Sequence, residues 1–107
     1  MIVTTTNGVE GRRVTDYLGV VHGSAVMGSN LFRDFFAGIR DVVGGRVGSY
    51  ETVLTDAKDA ALADLVSRAE ALRADAIIGV SFHHDSIGGG SQTILMVSAT
   101  GTAVRLS

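Results

Sequence analysis

The chain has 107 residues, the usual size of one domain, so we expect a single domain over residues 1–107. Hydrophobic residues make up 46% of it, which argues against intrinsic disorder, and no apolar run reaches the roughly 18 residues of a membrane span. The net charge is −2, with no basic cluster beyond Arg12 and Arg13, so nucleic-acid binding is not expected. Cysteine is absent, which excludes disulfides, thiolate nucleophiles and thiolate metal ligands.

The low charge content predicts self-association. Charged residues are 19% of the chain, against about 25% in an average soluble protein. A small domain has much surface to cover, so this deficit indicates that other copies cover part of it. The first six residues lack the positive and apolar regions of a signal peptide. We therefore expect a cytoplasmic homo-oligomer that binds neither nucleic acid nor membrane.

The first quarter of the chain is predicted to be β-structure. Ile2–Thr6 is β-branched and leads into an Asn-Gly turn signal, and Val9–Arg13 is a candidate second short strand. Both are expected at sheet edges, where they could pair with a neighbouring subunit. A long strand is predicted over Val14–Met27, bent or bulged near Gly19 or Gly23. Strict alternation would put Val14, Asp16, Leu18, Val20 and His22 on one face, and Thr15, Tyr17 and Val21 on the other.

Two helices are predicted next. After the N-cap Asn30, apolar residues recur at helical spacing and form an aromatic arc. This arc contains Leu31, Phe32, Phe35, Phe36, Ile39, Val42 and Val43. A glycine-rich elbow, Gly44–Gly48, should end that helix, and Ser49 is the predicted N-cap of a second helix over Tyr50–Ala74. The buried stripe of the second helix should contain Leu54, Ala61, Leu65, Ala69 and Leu72.

The C-terminal third returns to β-structure. Asp75–Asp85 is apolar on both faces and predicts a central strand. Ser86–Gly90 should be a hairpin loop, followed by an antiparallel strand over Gln92–Thr100. A last short strand is expected over Thr102–Leu106, after Gly101. One sheet with a long helix across it is an α+β, two-layer fold.

Four segments carry a family resemblance that spans almost the whole chain. They are Gly28–Asp41, Gly44–Arg46 with Tyr50 and Glu51, Ala74–Gly79, and Met96–Val104. Together they resemble the YbjQ-like family, small bacterial proteins described as "putative heavy-metal-binding". The resemblance implies a dodecin-like βαββ subunit with additional short strands that help to build a ring, a homopentamer. It implies no established reaction.

The chain also departs from the family pattern. Relatives commonly carry acidic residues or Tyr where this chain has His83 and His84. A Gly is often found in relatives where this chain has Arg73, near the end of the long helix. We therefore expect Arg73 to adopt the left-handed conformation of a helix C-cap, at a cost of about 1 kcal/mol.

The candidate metal ligands are His22, His83, His84 and Asp85. Alternation puts His83 and Asp85 on one face of a strand, about 6–7 Å apart. Neutral imidazole with a carboxylate suits zinc, copper or nickel. A tight site needs three or four ligands, so His22 or a second subunit would have to contribute. Soft ions such as Cu(I) or Hg lose their best ligand without Cys. The competing interpretation is solvated histidines at the end of a strand.

A second candidate site surrounds the glycine elbow. Its residues, predicted to bind an anion or small molecule held between subunits, are Arg33, Asp34, Arg46, Tyr50 and Glu51. Glycines, an arginine and a helix N-terminus together suit an anion. The competing interpretations are a helix–helix turn and salt bridges between subunits in a purely structural assembly. No catalytic constellation is visible, so no catalytic residue is predicted.

Overall fold

The structure is a computed structural model that describes residues 1–27, 47–89 and 92–107. These residues form β1 (Ile2–Val3), β2 (Val14–Met27), α1 (Val47–Ala71), β3 (Ala76–Gly89) and β4 (Gln92–Leu106). The sheet order is β1-β3-β4-β2, with β1 parallel to β3 and the other pairs antiparallel. One helix across a mixed sheet confirms the α+β class. The predicted aromatic helix and most of the glycine elbow lie outside the described residues.

The N-terminal segment closes one edge of the sheet. β1 is an edge strand, as predicted, and it pairs within its own chain, with Ile2 opposite Ala76. Beyond it, the amide of Val80 donates to the carbonyl of Thr4, and that of Gly79 to the carbonyl of Thr6. The predicted strand over Val9–Arg13 is wrong, because this stretch forms only an isolated bridge between Val9 and Arg12.

Bulges in β2 and β3 change which side chains share a face. The register of β2 shifts near Gly19, whose φ is 129°, as the sequence predicted for one of its two candidate glycines. The register of β3 shifts between Ile78 and Ser81, around Gly79 with φ 62°. Because an extra residue reverses the alternation, the predicted faces are wrong at three points. A further shift in β2 separates Val14, opposite Leu106, from Asp16, opposite Arg105. Leu18 packs towards the helix rather than with Val20 and His22, and Ala76 and Ile78 face away from Val80.

Helix α1 starts and ends three residues earlier than predicted. It begins at Val47, so Ser49 lies inside it and is not its N-cap, and Glu51 lies beyond the first turn. After Ala71 the chain forms a Schellman motif. The amide of Ala74 donates to the carbonyl of Ala69 at 3.1 Å, and that of Arg73 to the carbonyl of Glu70 at 2.9 Å. Arg73 has φ 61°, which confirms its predicted left-handed conformation.

Strand β4 is continuous over fifteen residues, so the predicted break at Gly101 is wrong. Gly101 is buried against β3, where a Cβ atom would lie 2.6 Å from Ile77 Cγ2. Glycine is therefore needed at this position for close packing and not for a turn. The hairpin loop is also shorter than the predicted Ser86–Gly90, because β3 continues to Gly89 and β4 begins at Gln92.

The main core lies between α1 and one face of the sheet. It is formed by Val21, Val53, Ala57, Ala61, Leu65, Ala69, Ile77, Val80, Leu95, Val97, Ala99 and Ala103. Most of the predicted helical stripe is confirmed, but Leu72 is 43% exposed because it follows the end of the helix. A smaller cluster covers one end of the opposite face, with Ala76, Ile78, Val104 and Leu106 under Val9 and Val14. No helix of the described residues is long and apolar enough to span a bilayer.

Candidate metal site on the open sheet face

The sheet has one face under the helix and one face that stays largely accessible. Residues directly opposite each other on neighbouring strands point to the same face. Leu95, Val97 and Ala99 of β4 are fully buried under α1, so Met96, Ser98 and Thr100 point to the other side. The register adds three residues of β2 and three of β3 to that side. We call this surface the open face, formed by His22, Ser24, Val26, Ser81, His83, Asp85, Met96, Ser98 and Thr100.

Three rows of side chains cross the open face. His22, Thr100 and Ser81 form the first row, and a 3.1 Å hydrogen bond between Ser81 Oγ and Thr100 Oγ1 shows that these two share the face. The second row consists of Ser24, Ser98 and His83. The third consists of Val26, Met96 and Asp85. A band of hydroxyl and imidazole groups therefore lies next to a row with an apolar, a thioether and a carboxylate side chain.

The structure brings together two of the four candidate metal ligands. His83 and Asp85 are exposed and lie two residues apart on one face of β3, as the alternation predicted. His22 shares this face but lies on β2, separated from His83 by the whole of β4. The structure contains no group of three His, Asp or Glu side chains that could hold a metal ion in the part of the chain that it describes. A complete site therefore needs another type of donor, water or a second copy.

His84 points to the opposite side of the sheet from His83. It lies directly across from the buried Val97 and therefore faces the helix side, where it is nevertheless exposed. Its neighbour on that side, Phe82, is 37% exposed and lies 5.3 Å from Lys58 Nζ, measured to the ring centroid. His84 therefore cannot act with His83 and Asp85 on one ion in the same chain.

The candidate anion site is described only in part. Arg33, Asp34 and Arg46 lie outside the described residues, and of Tyr50 only the helical backbone is described. Glu51 is exposed and lines a shallow depression with Thr52, Thr55 and Asp56. Two carboxylates repel an anion, so this side of the helix start does not favour one. The anion-site assignment remains a prediction.

Met96 is a potential ligand that was not among the residues predicted from the sequence. It lies directly opposite Asp85, and its side chain is 37% exposed on the open face. The position could have been found from the hairpin, because two residues separate β3 from β4 and the paired positions from Ser81 to Gly89 then sum to 181. Because Ser86–Gly90 was predicted to be a loop, the register of the hairpin, and with it the pairing of Asp85 with Met96, was not predicted.

The fold and this surface define a small α+β protein whose four-stranded sheet presents imidazole, carboxylate and thioether groups on one accessible face. A family model described as "Putative heavy-metal-binding" matches residues 1–107. The chain therefore belongs to the YbjQ-like family, as its sequence motifs predicted.

A solved structure has the same fold. It is a 2.73 Å crystal structure of a protein with unknown function from Pediococcus pentosaceus, which belongs to the DUF74 family. That protein is 19% identical to this chain, with a TM-score of 0.65, and the match covers 100% of this chain and 98% of the other. At 19% identity, this likeness shows a shared fold and nothing about function.

Proposed function

We propose that the protein binds a divalent transition metal ion, zinc, copper or nickel, through His83 and Asp85 on the open face. The family description supports metal binding in general. The observation that carries the proposal for this chain is the pair itself, with an imidazole and a carboxylate exposed two residues apart on one strand. Neutral imidazole and carboxylate are ordinary ligands of these ions.

The proposal includes self-assembly, because two side chains do not complete a tight site. A cytoplasmic ring of dodecin-like subunits, five according to the family resemblance, would bring ligands of different copies together. The open face supports such contact through its exposed apolar side chains and its low charge. Val26 is 58% exposed, and Val20, which lies two residues before His22 at the border of the open face, is 81% exposed. Asp85 is the one formally charged residue among the nine that define the face.

The test is calorimetric titration of untagged, metal-free protein with Zn²⁺, Ni²⁺ and Cu²⁺. Wild-type protein should bind at least one of these ions with a defined stoichiometry per chain. Both His83→Gln and Asp85→Asn should weaken that binding by more than about tenfold, because each removes one of two protein ligands. The metal content of untagged protein, measured as purified, gives an independent readout.

The matched control is His84→Gln, which makes the same chemical change one residue away on the opposite side of the sheet. It should leave the affinity unchanged. Equal losses in the His83 and His84 variants would contradict the proposed site. Wild-type protein that binds none of the three ions above background would overturn the proposed function.

A further inference from the structure

Three potential metal donors meet on the open face where β3 and β4 pair. Asp85 and Met96 are directly opposite each other, so their Cβ atoms are about 5 Å apart. His83 is diagonal to Met96, at about 7–8 Å between Cα atoms. All three side chains are exposed on the same face. They come from two strands with continuous register between Ser81 and Gly89, so their relative positions are fixed by the sheet.

The side chain of Met96 has the reach to share an ion with the other two. Methionine is unbranched and has three rotatable bonds, so its sulfur can move several ångströms over the sheet surface. Val26 lies directly opposite Met96 on the other side, which places an apolar group beside the thioether. The thioether therefore lies on an accessible face with an apolar side chain beside it.

We infer that His83, Asp85 and Met96 form a three-donor copper site. This inference rests on the proposed function, narrows the metal to copper and extends the proposal from Cu²⁺ to Cu(I). Thioether sulfur is a soft ligand that favours copper, especially Cu(I), whereas carboxylate and imidazole are shared by zinc and nickel. The absence of Cys, which argued against soft ions, is therefore offset at this position by Met96. Water or a ligand of a second copy completes the coordination.

The experiment measures Cu(I) and Zn²⁺ affinities by competition with a chromophoric chelator for each ion. Met96→Leu keeps the volume and apolar character of the side chain but removes the sulfur. It should weaken Cu(I) binding by more than about tenfold and change Zn²⁺ binding by less than about twofold. X-ray absorption of the copper-loaded wild type should show a sulfur scatterer that Met96→Leu abolishes.

The matched control is Met27→Leu, because Met27 lies opposite Leu95 and packs on the helix side of the same sheet. Its copper affinity should equal that of the wild type. Copper binding that is unchanged in Met96→Leu but lost in His83→Gln would overturn the copper inference and leave the proposed function standing. Wild-type protein that binds neither Cu(I) nor Zn²⁺ would overturn the copper inference, and the proposed function would fall with it only if Ni²⁺ and Cu²⁺ also failed to bind.

Discussion

The helix and the sheet are in close contact at Gly23. A Cβ atom at this position would clash with the backbone of Ala61 and Leu65 in α1. Backbone atoms of a packed helix cannot rotate away as a side chain can, so the helix would have to move off the sheet. Val21, next to it on the same face, is 5% exposed and would lose contacts in such a shift.

We predict that Gly23→Ala lowers the free energy of unfolding by about 3 kcal/mol, the upper part of the range for overpacked sites. Urea denaturation followed by circular dichroism measures this change. Gly8→Ala is the control, because no atom lies within 4 Å of a Cβ built at Gly8. Its effect should stay within about 0.5 kcal/mol. Similar effects of the two substitutions would contradict the close contact.

Arg73 is a residue whose backbone conformation costs stability. It occupies the αL position of the Schellman motif with φ 61°, where glycine has no steric penalty. We predict that Arg73→Gly raises the free energy of unfolding by about 1 kcal/mol, or the melting temperature by about 4–8 °C. Arg73→Ala keeps the strained conformation and should give no such gain. A gain of equal size in both variants would attribute the effect to the arginine side chain instead.

At the scale of secondary-structure elements, β2 is an edge strand over fourteen residues. Helix α1 protects part of this edge, because the amide of Ser24 donates to Asp64 Oδ2 at 3.1 Å. Asp64 is also 3.5 Å from Arg68 in an ion pair whose side chains are 36% and 51% exposed. Such an exposed pair contributes little, so the contact with the strand is the more important role of Asp64.

We predict that Asp64→Ala lowers the free energy of unfolding by about 1 kcal/mol relative to Asp59→Ala. Asp59 is an exposed position of the same helix, so it corrects for the gain in helix propensity that alanine brings. Arg68→Ala should cost less than about 0.5 kcal/mol. Thermal denaturation of the three variants ranks their stabilities. A larger loss in Arg68→Ala than in Asp64→Ala would show that the ion pair matters more than the edge contact.

The sequence predicts the elements of this fold better than it predicts which side chains meet. The bounds of β2 and the conformation of Arg73 follow from local chemistry, namely β-branched residues and a helix C-cap. Which side chains share a face of β2 or β3 does not follow from local chemistry. One bulged residue at Gly19 or Gly79 moves every side chain beyond it to the opposite face. His83 and Asp85 lie together beyond the bulge and keep their relation, whereas Met96 joins them through a hairpin register that the sequence left open.

At the scale of the whole molecule, the two faces of the sheet are unequal. The helix covers one face, and the other carries Val20, Val26, Ile94 and Met96, with exposures of 81%, 58%, 42% and 37%. Exposed apolar side chains that share a face with few charges are typical of the core of an interface. This asymmetry agrees with the low charge content of the chain and supports contact between copies through the open face.

We therefore predict that Val26→Lys reduces the size of the assembly, since it would bury an unpaired charge in the contact. Sedimentation velocity at several protein concentrations should show smaller species in the variant, while circular dichroism remains that of a folded chain. Asn7→Lys adds the same charge in an exposed turn at the N-terminus and should leave the assembly unchanged. If the wild type is a monomer at all concentrations, copies of the chain do not contact each other through the open face, which then binds a different partner or none. If it assembles and Val26→Lys assembles equally well, the copies meet through a different surface.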